Sequence, residues 1–209
     1  SGAGSTIAAI SLASPSDGLT VLGKDSGVYD ADFAAACGKF TVSNTGYILG
    51  SDGKLKPGVV TTPANAAESI SNITESSTVV LNGTITSDDL TDIKNALTEL
   101  KTSSPSAKVT LDLSGVTGID AIPANAFSNC TNLESISLPD CVKSIGGMSF
   151  YLCGNLKSVT LPQNLETIGS SAFYECSELE EVVIPSKVKT IGDYAFCSNK
   201  LQSIHIPAS

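Results

Sequence analysis

The C-terminal half of the chain repeats one pattern of apolar and polar positions at an interval of 23 residues. Leucines, Leu-Pro or Ile-Pro pairs and Ile-Gly pairs recur in this register, and the common pattern is L-x-x-[IV]-x-[LI]-P-x-x-[VL]-x-x-I-G-x-x-[AS]-F-x-x-C. Self-similarity at a fixed interval indicates a solenoid in which each repeat is one structural unit. The aromatic and thiol positions that keep the interval are Phe127, Phe150, Phe173 and Phe196, and Cys130, Cys153 and Cys176.

One repeat predicts one coil of the solenoid. The segment from Leu133 to Leu138 ends in an alternation of apolar and polar residues, which predicts a short, half-buried strand. Pro139 ends the strand, Gly146 permits a tight corner, and the Ala-Phe-x-x-Cys stretch predicts a short helical turn on the opposite side. A single coil cannot bury its own apolar face, so we expect coils to stack with parallel strands. Each buried Phe or Leu then contributes about 1.5–3 kcal/mol.

These residues resemble the BspA-like class of leucine-rich repeats over roughly residues 109–209. The resemblance implies an α/β leucine-rich-repeat solenoid of parallel β strands with short helical turns. It also implies a surface protein of anaerobic bacteria or some protists that adheres to host matrix proteins or to other cells. Two places depart from the pattern: the last unit is one residue short and lacks the ladder cysteine, and the first coil is two residues longer.

Residues 78–106 predict a cap that shields the first coil. Val79 to Leu81 is a candidate strand, and Thr86 is a suitable N-cap for a helix whose first turn contains two aspartates. The apolar residues of this helix fall on one face, and Ser103-Ser104-Pro105 ends it. The apolar face consists of Leu90, Ile93, Leu97 and Leu100.

The first 76 residues are rich in Gly, Ala, Ser and Thr and lack the repeat. We expect a small, mostly β N-terminal domain with its linker at 1–76, in which residues 61–77 form the linker, and the cap plus solenoid at 77–209. Residues 51–54 are a hairpin-turn signal. The candidate elements are strands at Thr6–Leu12, Leu19–Leu22, Lys39–Ser43 and Tyr47–Leu49, and a helix at Asp30–Cys37.

Charge and hydropathy limit the classes of partner and the cellular location that the sequence allows. The net charge is −9, and all twelve basic residues are lysine. Because arginine is the preferred fork for phosphates and base edges, this composition argues against nucleic acid and anionic membranes. No apolar run approaches the roughly 20 residues of a membrane span. The small residues at the N-terminus suit the region behind a cleaved export or lipid-anchor signal, so we expect a secreted or cell-surface-anchored protein.

Candidate chemistry is sparse. A ladder of cysteines one coil apart lies within disulfide range, but stacked, identically oriented thiols favour buried packing residues. Cys141 and Cys197 lie off the ladder, and a bridge involving either stays open. His205, the only histidine, occupies an outward strand position without an orienting partner. Acidic groups at 88–92 and 175–181 are explained by a helix start and a solvated coil surface. We therefore expect no enzyme, cofactor or metal site; an active site within 1–76 is the least favoured alternative.

Recognition of a protein is the function that this pattern favours, with a host extracellular-matrix protein as the candidate partner. The strand positions facing outward carry small, mostly hydroxyl-bearing side chains and no tyrosine anchor, whereas Tyr151, Tyr174 and Tyr194 lie near the helical turns. The alternative is a structural module that displays the N-terminal region and has no ligand of its own; the oligomeric state stays open. The candidate interaction surface is Glu134, Ser135, Ser137, Lys157, Ser158, Thr160, Glu180, Glu181, Val183, Gln202, Ser203 and His205.

Overall fold

The structure, a computed structural model, describes residues 47–49 and 55–204. In chain order the elements are β1 (Tyr47–Leu49), β2 (Leu55–Thr61), α1 (Pro63–Ser71), β3 (Ser77–Thr84), α2 (Ser87–Ser103), β4 (Val109–Thr117), β5 (Ala121–Ile122), β6 (Leu133–Ser137), β7 (Ser144–Ile145), β8 (Ser158–Thr160), β9 (Thr167–Ile168) and β10 (Thr190–Ile191).

Two sheets run along the stack of coils. The larger has the order β1-β2-β3-β4-β6-β8, and all its pairs are parallel except the antiparallel β1–β2 pair. The smaller sheet joins β5, β7, β9 and β10, two residues each, in parallel. Coil order and sheet order therefore coincide, as expected for stacked repeats. We call the outward side of the larger sheet the concave face and the opposite side of the coils the convex side.

The convex side of each repeat is built from hydrogen-bonded turns. Within the first repeat, N–H groups of Ala126, Ser128 and Cys130 donate to carbonyls three residues earlier, which is the hydrogen-bond pattern of a tight helical turn. Alternate N–H groups donate instead to the next coil, for example Phe127 N to Ser149 O at 2.7 Å. Neighbouring coils thus satisfy each other's turns.

Apolar side chains of successive repeats stack in the space between the sheets and the turns. The rings of Phe127 and Phe150 lie 5.3 Å apart and nearly parallel, and the stack continues through Phe173 to Phe196. The first three rings are fully buried, whereas Phe196 at the last coil is partly buried. The predicted core of Phe and Leu positions is confirmed.

The repeated glycine after isoleucine is required by close approach between coils. A Cβ on Gly146 would lie 2.5 Å from the backbone nitrogen of Ala124, and Gly169 and Gly192 are equally crowded by the preceding coil. None of the three has a positive φ. The tight corner expected at this position is therefore not the reason for glycine; the spacing between coils is.

The strand and the helix predicted for residues 78–106 are confirmed, but they do not end the stack, because β2 and α1 lie beyond them. Helix α2 begins after Thr86, whose side-chain oxygen accepts from Asp89 N at 3.2 Å while Asp89 Oδ2 accepts from Thr86 N at 2.8 Å. This capping box satisfies two backbone donors at the helix start. The predicted face of the helix is buried, with Ala96 added to it.

The linker predicted at 61–77 is wrong. Helix α1 fills most of this segment and packs against α2 and β3, with Ala66 and Ile70 fully buried. Because β2 pairs in parallel with β3, β2 and α1 form a further coil of the same stack. The strand predicted at Tyr47–Leu49 is confirmed, and its antiparallel pairing with β2 agrees with the predicted hairpin.

The division of the chain at residue 76 into two domains stays a prediction. The other elements proposed for the N-terminal region, and the hairpin turn at 51–54, lie outside the described residues.

Candidate functional site: the concave face

The predicted outward columns lie side by side on the larger sheet. Ser135 pairs in register with Ser158, and Ser158 forms a parallel bridge with Glu181. The hydroxyl oxygens of Ser135 and Ser158 lie 2.8 Å apart, so these two side chains bond to each other across the coils. Ser137 pairs in register with Thr160 and begins the second column.

The part of this face around Glu181 and Val183 is more apolar and more acidic than the part formed by Ser135, Ser158 and Thr160. Val183 continues the second column and is 68% exposed, which is unusual for a large aliphatic side chain. Glu181 is also exposed. A shallow depression lies beside them, lined by Glu180, Glu181, Val182, Val183, Lys200, Gln202 and Ser203.

Charged residues at the side of the columns are used within the molecule. Lys157 Nζ donates to Glu134 Oε1 at 2.7 Å, one coil apart. This hydrogen bond and the charge of Glu134 raise the pKa of Lys157. Lys189–Glu166 and Lys200–Glu178 form further ion pairs between coils. A partner would therefore have to break the ion pair between Glu134 and Lys157 to bind either side chain. Glu180 and Glu181, by contrast, are exposed beside the depression.

The face extends further toward the N-terminus than the sequence prediction placed it. Thr110 pairs with Ser135 and Thr78 with Thr110, while Val80, Asp112 and Ser137 are in register across three strands. The alternating burial of β3 and β4 is visible in the sequence as spaced Val and Leu residues. That alternation is the signal for these outward positions, whereas the prediction for residues 78–106 covers a cap only. His205, the remaining candidate, lies outside the described residues.

The cysteine ladder is structural. Cys153 Sγ donates to Phe127 O at 3.0 Å, and Cys176 Sγ donates to Phe150 O at 3.1 Å. Burial raises the pKa of Cys130 and Cys176 to about 12. Burial likewise raises the pKa of Cys153 well above its ordinary value. These thiols are protonated near neutral pH and are poor nucleophiles.

The last coil replaces the ladder thiol with an amide. Asn199 stands 23 residues after Cys176 and, with its amide nitrogen turned inward, donates to Phe173 O at 3.1 Å. The carbonyl that receives it is the one a ladder thiol would bind. The prediction that the last unit lacks the ladder cysteine is therefore confirmed, but the hydrogen bond is kept, because the amide of Asn199 replaces the thiol as its donor.

The remaining thiols and acidic groups match the structural interpretation. All five cysteines within 55–204 are free, and of the two off the ladder Cys141 is half-buried and Cys197 exposed. Asp88 and Asp89 lie in the first turn of α2. In the described part of the chain, no group of three His, Cys, Asp or Glu side chains is placed to hold a metal ion. No helix within these residues is long and apolar enough to cross a membrane.

Stacked coils with a parallel concave sheet, a phenylalanine column and a ladder of donors to the preceding coil define a leucine-rich repeat solenoid, a class of protein-interaction module. Residues 110–209 match the family described as BspA type leucine rich repeat region, in six copies. Residues 110–209 are therefore a BspA-type leucine-rich repeat region, a type of repeat that typically forms interaction modules.

Solved structures of bacterial leucine-rich repeat proteins are similar to the chain. One from T. pallidum is 26% identical, with 81% of this chain and 72% of that chain covered and a TM-score of 0.48. One from Bacteroides ovatus is 26% identical and covers 80% of this chain but 41% of its own, with a TM-score of 0.46. One from Bacteroides capillosus is 30% identical over 47% of this chain and 77% of its own, with a TM-score of 0.43. Among curated proteins, none matches the chain.

Proposed function

We propose that the chain is an exported or cell-surface-anchored protein whose concave face binds another protein, with a host extracellular-matrix protein or a protein of a neighbouring cell as the partner. The observation that carries the proposal is the continuity of this face. Its outward positions run in register over four parallel strands, β3, β4, β6 and β8, and reach Glu181 on the next coil. Solenoids use such extended surfaces for recognition.

The side chains on this face favour a broad contact over a deep pocket. The two columns consist of hydroxyl, small aliphatic and carboxylate side chains, with a shallow depression at one end. Such a surface lacks the aromatic anchors that dominate tight interfaces. Export is supported by the family, whose members are usually surface or secreted bacterial proteins.

The test is capture of purified matrix proteins by the immobilised chain. Thr160 and Val183 are both exposed, so Thr160→Arg and Val183→Arg place bulky charges in the second column without disturbing the core. We expect the double variant to lose at least about tenfold in affinity, because an unpaired buried charge costs a protein interface several kcal/mol. The matched control is Gln163→Arg, on an exposed turn outside both columns. Equal binding by all variants would exclude the concave face.

The second candidate is a structural module that displays the N-terminal region. The observation that favours it is that polar groups of the face already bond to each other. Ser135 bonds to Ser158, and Glu134 forms an ion pair with Lys157. This candidate predicts no capture of any matrix protein by the full chain. It also predicts that the Arg variants behave as the unsubstituted chain does.

A further inference from the structure

The convex side carries the aromatic side chains that the concave face lacks. Three turn segments, residues 146–153, 169–176 and 192–199, hold three of the five tyrosines of the chain. In each segment, the first, fourth and fifth residues after Gly147, Ser170 or Asp193 are exposed or half-buried, whereas the two residues between the first and the fourth are buried, apart from the partly buried Phe196. We define the convex patch as Met148, Tyr151, Leu152, Tyr174 and Tyr194.

The convex patch is an exposed apolar surface. Met148 is 46% and Tyr194 71% exposed. Tyr151 and Tyr174, one coil apart and half-buried, stack with ring centroids 5.3 Å apart and an interplanar angle of 15°. The pair therefore presents tyrosine side chains from adjacent coils at the surface. Clustered exposed apolar side chains of this kind are typical of interaction sites.

Backbone conformation does not explain these residues. Met148 and Tyr194 have φ values of 57° and 58°, in the left-handed region where large side chains are disfavoured. The equivalent residue of the first coil is Asn125, with φ 60°, a residue that tolerates this conformation. Nor does core packing explain them, because both side chains point into solvent. Neither backbone conformation nor core packing therefore accounts for large side chains at these two positions.

The charge around the convex patch specifies the partner. The three turn segments contain two carboxylates, Glu175 and Asp193, and no lysine, while Lys94 lies beside the first turn, where it bonds Ser128 Oγ one coil before Tyr151. The charge of Glu175 is the main cause that raises the pKa of Tyr174, so a carboxylate acts on this ring from the adjacent position in the chain. Tyrosine rings attract cations over their faces, and neighbouring carboxylates add an ionic attraction. Arginine combines both interactions because its planar guanidinium stacks on aromatic rings.

We propose that the convex patch docks a segment of a partner protein that presents arginine or lysine side chains next to apolar ones. The cationic groups lie over the tyrosine rings and pair with Glu175 and Asp193, and the apolar side chains contact Met148 and Leu152. This second surface lies on the side of the coils opposite the concave face, so the chain engages two partners, or two parts of one partner, independently.

The probe is a short synthetic peptide of alternating arginine and leucine, titrated into the full chain. Because the chain contains no tryptophan and three of its five tyrosines lie in these turns, intrinsic tyrosine fluorescence reports on the patch. Calorimetry on the same samples gives Kd. We expect saturable binding with a change in tyrosine fluorescence, and no binding of the peptide in which glutamate replaces arginine. Absence of saturable binding of the arginine peptide overturns the proposal.

Variants separate docking on the patch from general attraction to an acidic protein. Tyr194→Ala is expected to weaken binding about threefold, and Tyr174→Ala combined with Tyr194→Ala about tenfold, from the strength of exposed cation–π contacts. Tyr194→Phe keeps the ring and retains binding. Glu175→Gln with Asp193→Asn weakens binding, whereas Asp92→Asn with Glu99→Gln removes the same charge from the exposed side of α2 and does not. Equal losses in these two double variants, or full binding after both tyrosine replacements, overturn the proposal.

Discussion

Two regions of the molecule build one sheet but return from it differently. The coils of residues 55–108 return through helices α1 and α2, whereas the coils of residues 109–204 return through turns. A helix closes its backbone hydrogen bonds within itself. The turns cannot, and Phe127, Phe150 and Phe173 each donate a backbone bond to the coil that follows. The helical coils are therefore complete units, and the repeat coils complete each other.

This difference teaches where cooperativity resides. In the repeats, the ring stack, the thiol ladder and the turn hydrogen bonds all join neighbouring coils, so a lesion in one coil reaches both neighbours. In the helical coils, the core of Leu90, Ile93 and Leu97 is held between helices and strands. Stability in the repeats is thus closer to a sum of interfaces than of units.

The largest expected effect tests this contrast by core truncation. Phe150→Ala removes the central ring between Phe127 and Phe173 and is expected to lower the free energy of unfolding by about 3–5 kcal/mol. Leu97→Ala, equally buried on α2, is expected to cost about 2–5 kcal/mol. Urea denaturation measures both.

Hydrogen exchange then distinguishes the two regions. Phe150→Ala is expected to expose turn amides of both adjacent coils, including Phe127 N and Phe173 N, whereas Leu97→Ala leaves them protected. If Leu97→Ala opened the turn amides of Phe127 and Phe173 as much as Phe150→Ala does, the two regions would be one cooperative unit and the contrast would fail.

The alkaline limit of stability is the next effect in size, and within residues 55–204 the buried thiols that cause it lie in the repeat region. Burial raises the pKa of Cys130 and Cys176 to about 12, and that of Cys153 well above the ordinary 9.0. The folded chain therefore keeps these protons at a pH where the unfolded chain loses them. This stabilisation is complete below about pH 9 and is lost as the pH rises toward 12, by up to about 1.4 kcal/mol per pH unit for each thiol.

Thermal unfolding between pH 8 and pH 11 checks this prediction, and Cys176→Ala is the variant that isolates it. The two proteins share every other ionisable group, so the difference between their slopes reports the thiol. We expect the variant to be less stable at pH 8 and its stability to fall less steeply with pH. Identical slopes would show that the ladder thiols do not resist ionisation in the folded chain.

Sequence reasoning reached the repeats and α2 because both carry strong periodic signals. The interval from Phe127 to Phe150 fixed the coil, and Thr86 with Asp89 marked the start of α2. Helix α1 was missed because its apolar residues are mostly alanines among Asn and Ser, although Pro63 occupies a favoured first position. Strand β2 was not predicted because it contains Pro57 and Gly58, and both residue types are depleted in strands.

The candidate site was predictable only in part. Alternation located the outward columns on β6 and β8, because side chains of a strand point to opposite faces with a period of two. The exchange of Cys for Asn199 as a donor, and the left-handed backbone of Met148 and Tyr194, depend on how one coil approaches the next. The local sequence around these residues does not reveal the spacing between coils, so these two features could not be predicted from it.

The smallest expected effect concerns the junction between the two regions. Lys94 on α2 donates to Asn125 O at 2.8 Å and to Ser128 Oγ at 2.9 Å, so this side chain joins the helical region to the first turn. Lys94→Met keeps the length of the side chain and removes both bonds, with an expected loss of about 1 kcal/mol in the free energy of unfolding. Lys101→Met, on the exposed end of the same helix, is expected to cost a few tenths of a kcal/mol at most. Faster hydrogen exchange at Ala126 N and Ser128 N in the Lys94 variant alone would show that the helical region stabilises the first turn through this lysine. Equal exchange in both variants would show that only the apolar packing of α2 does so.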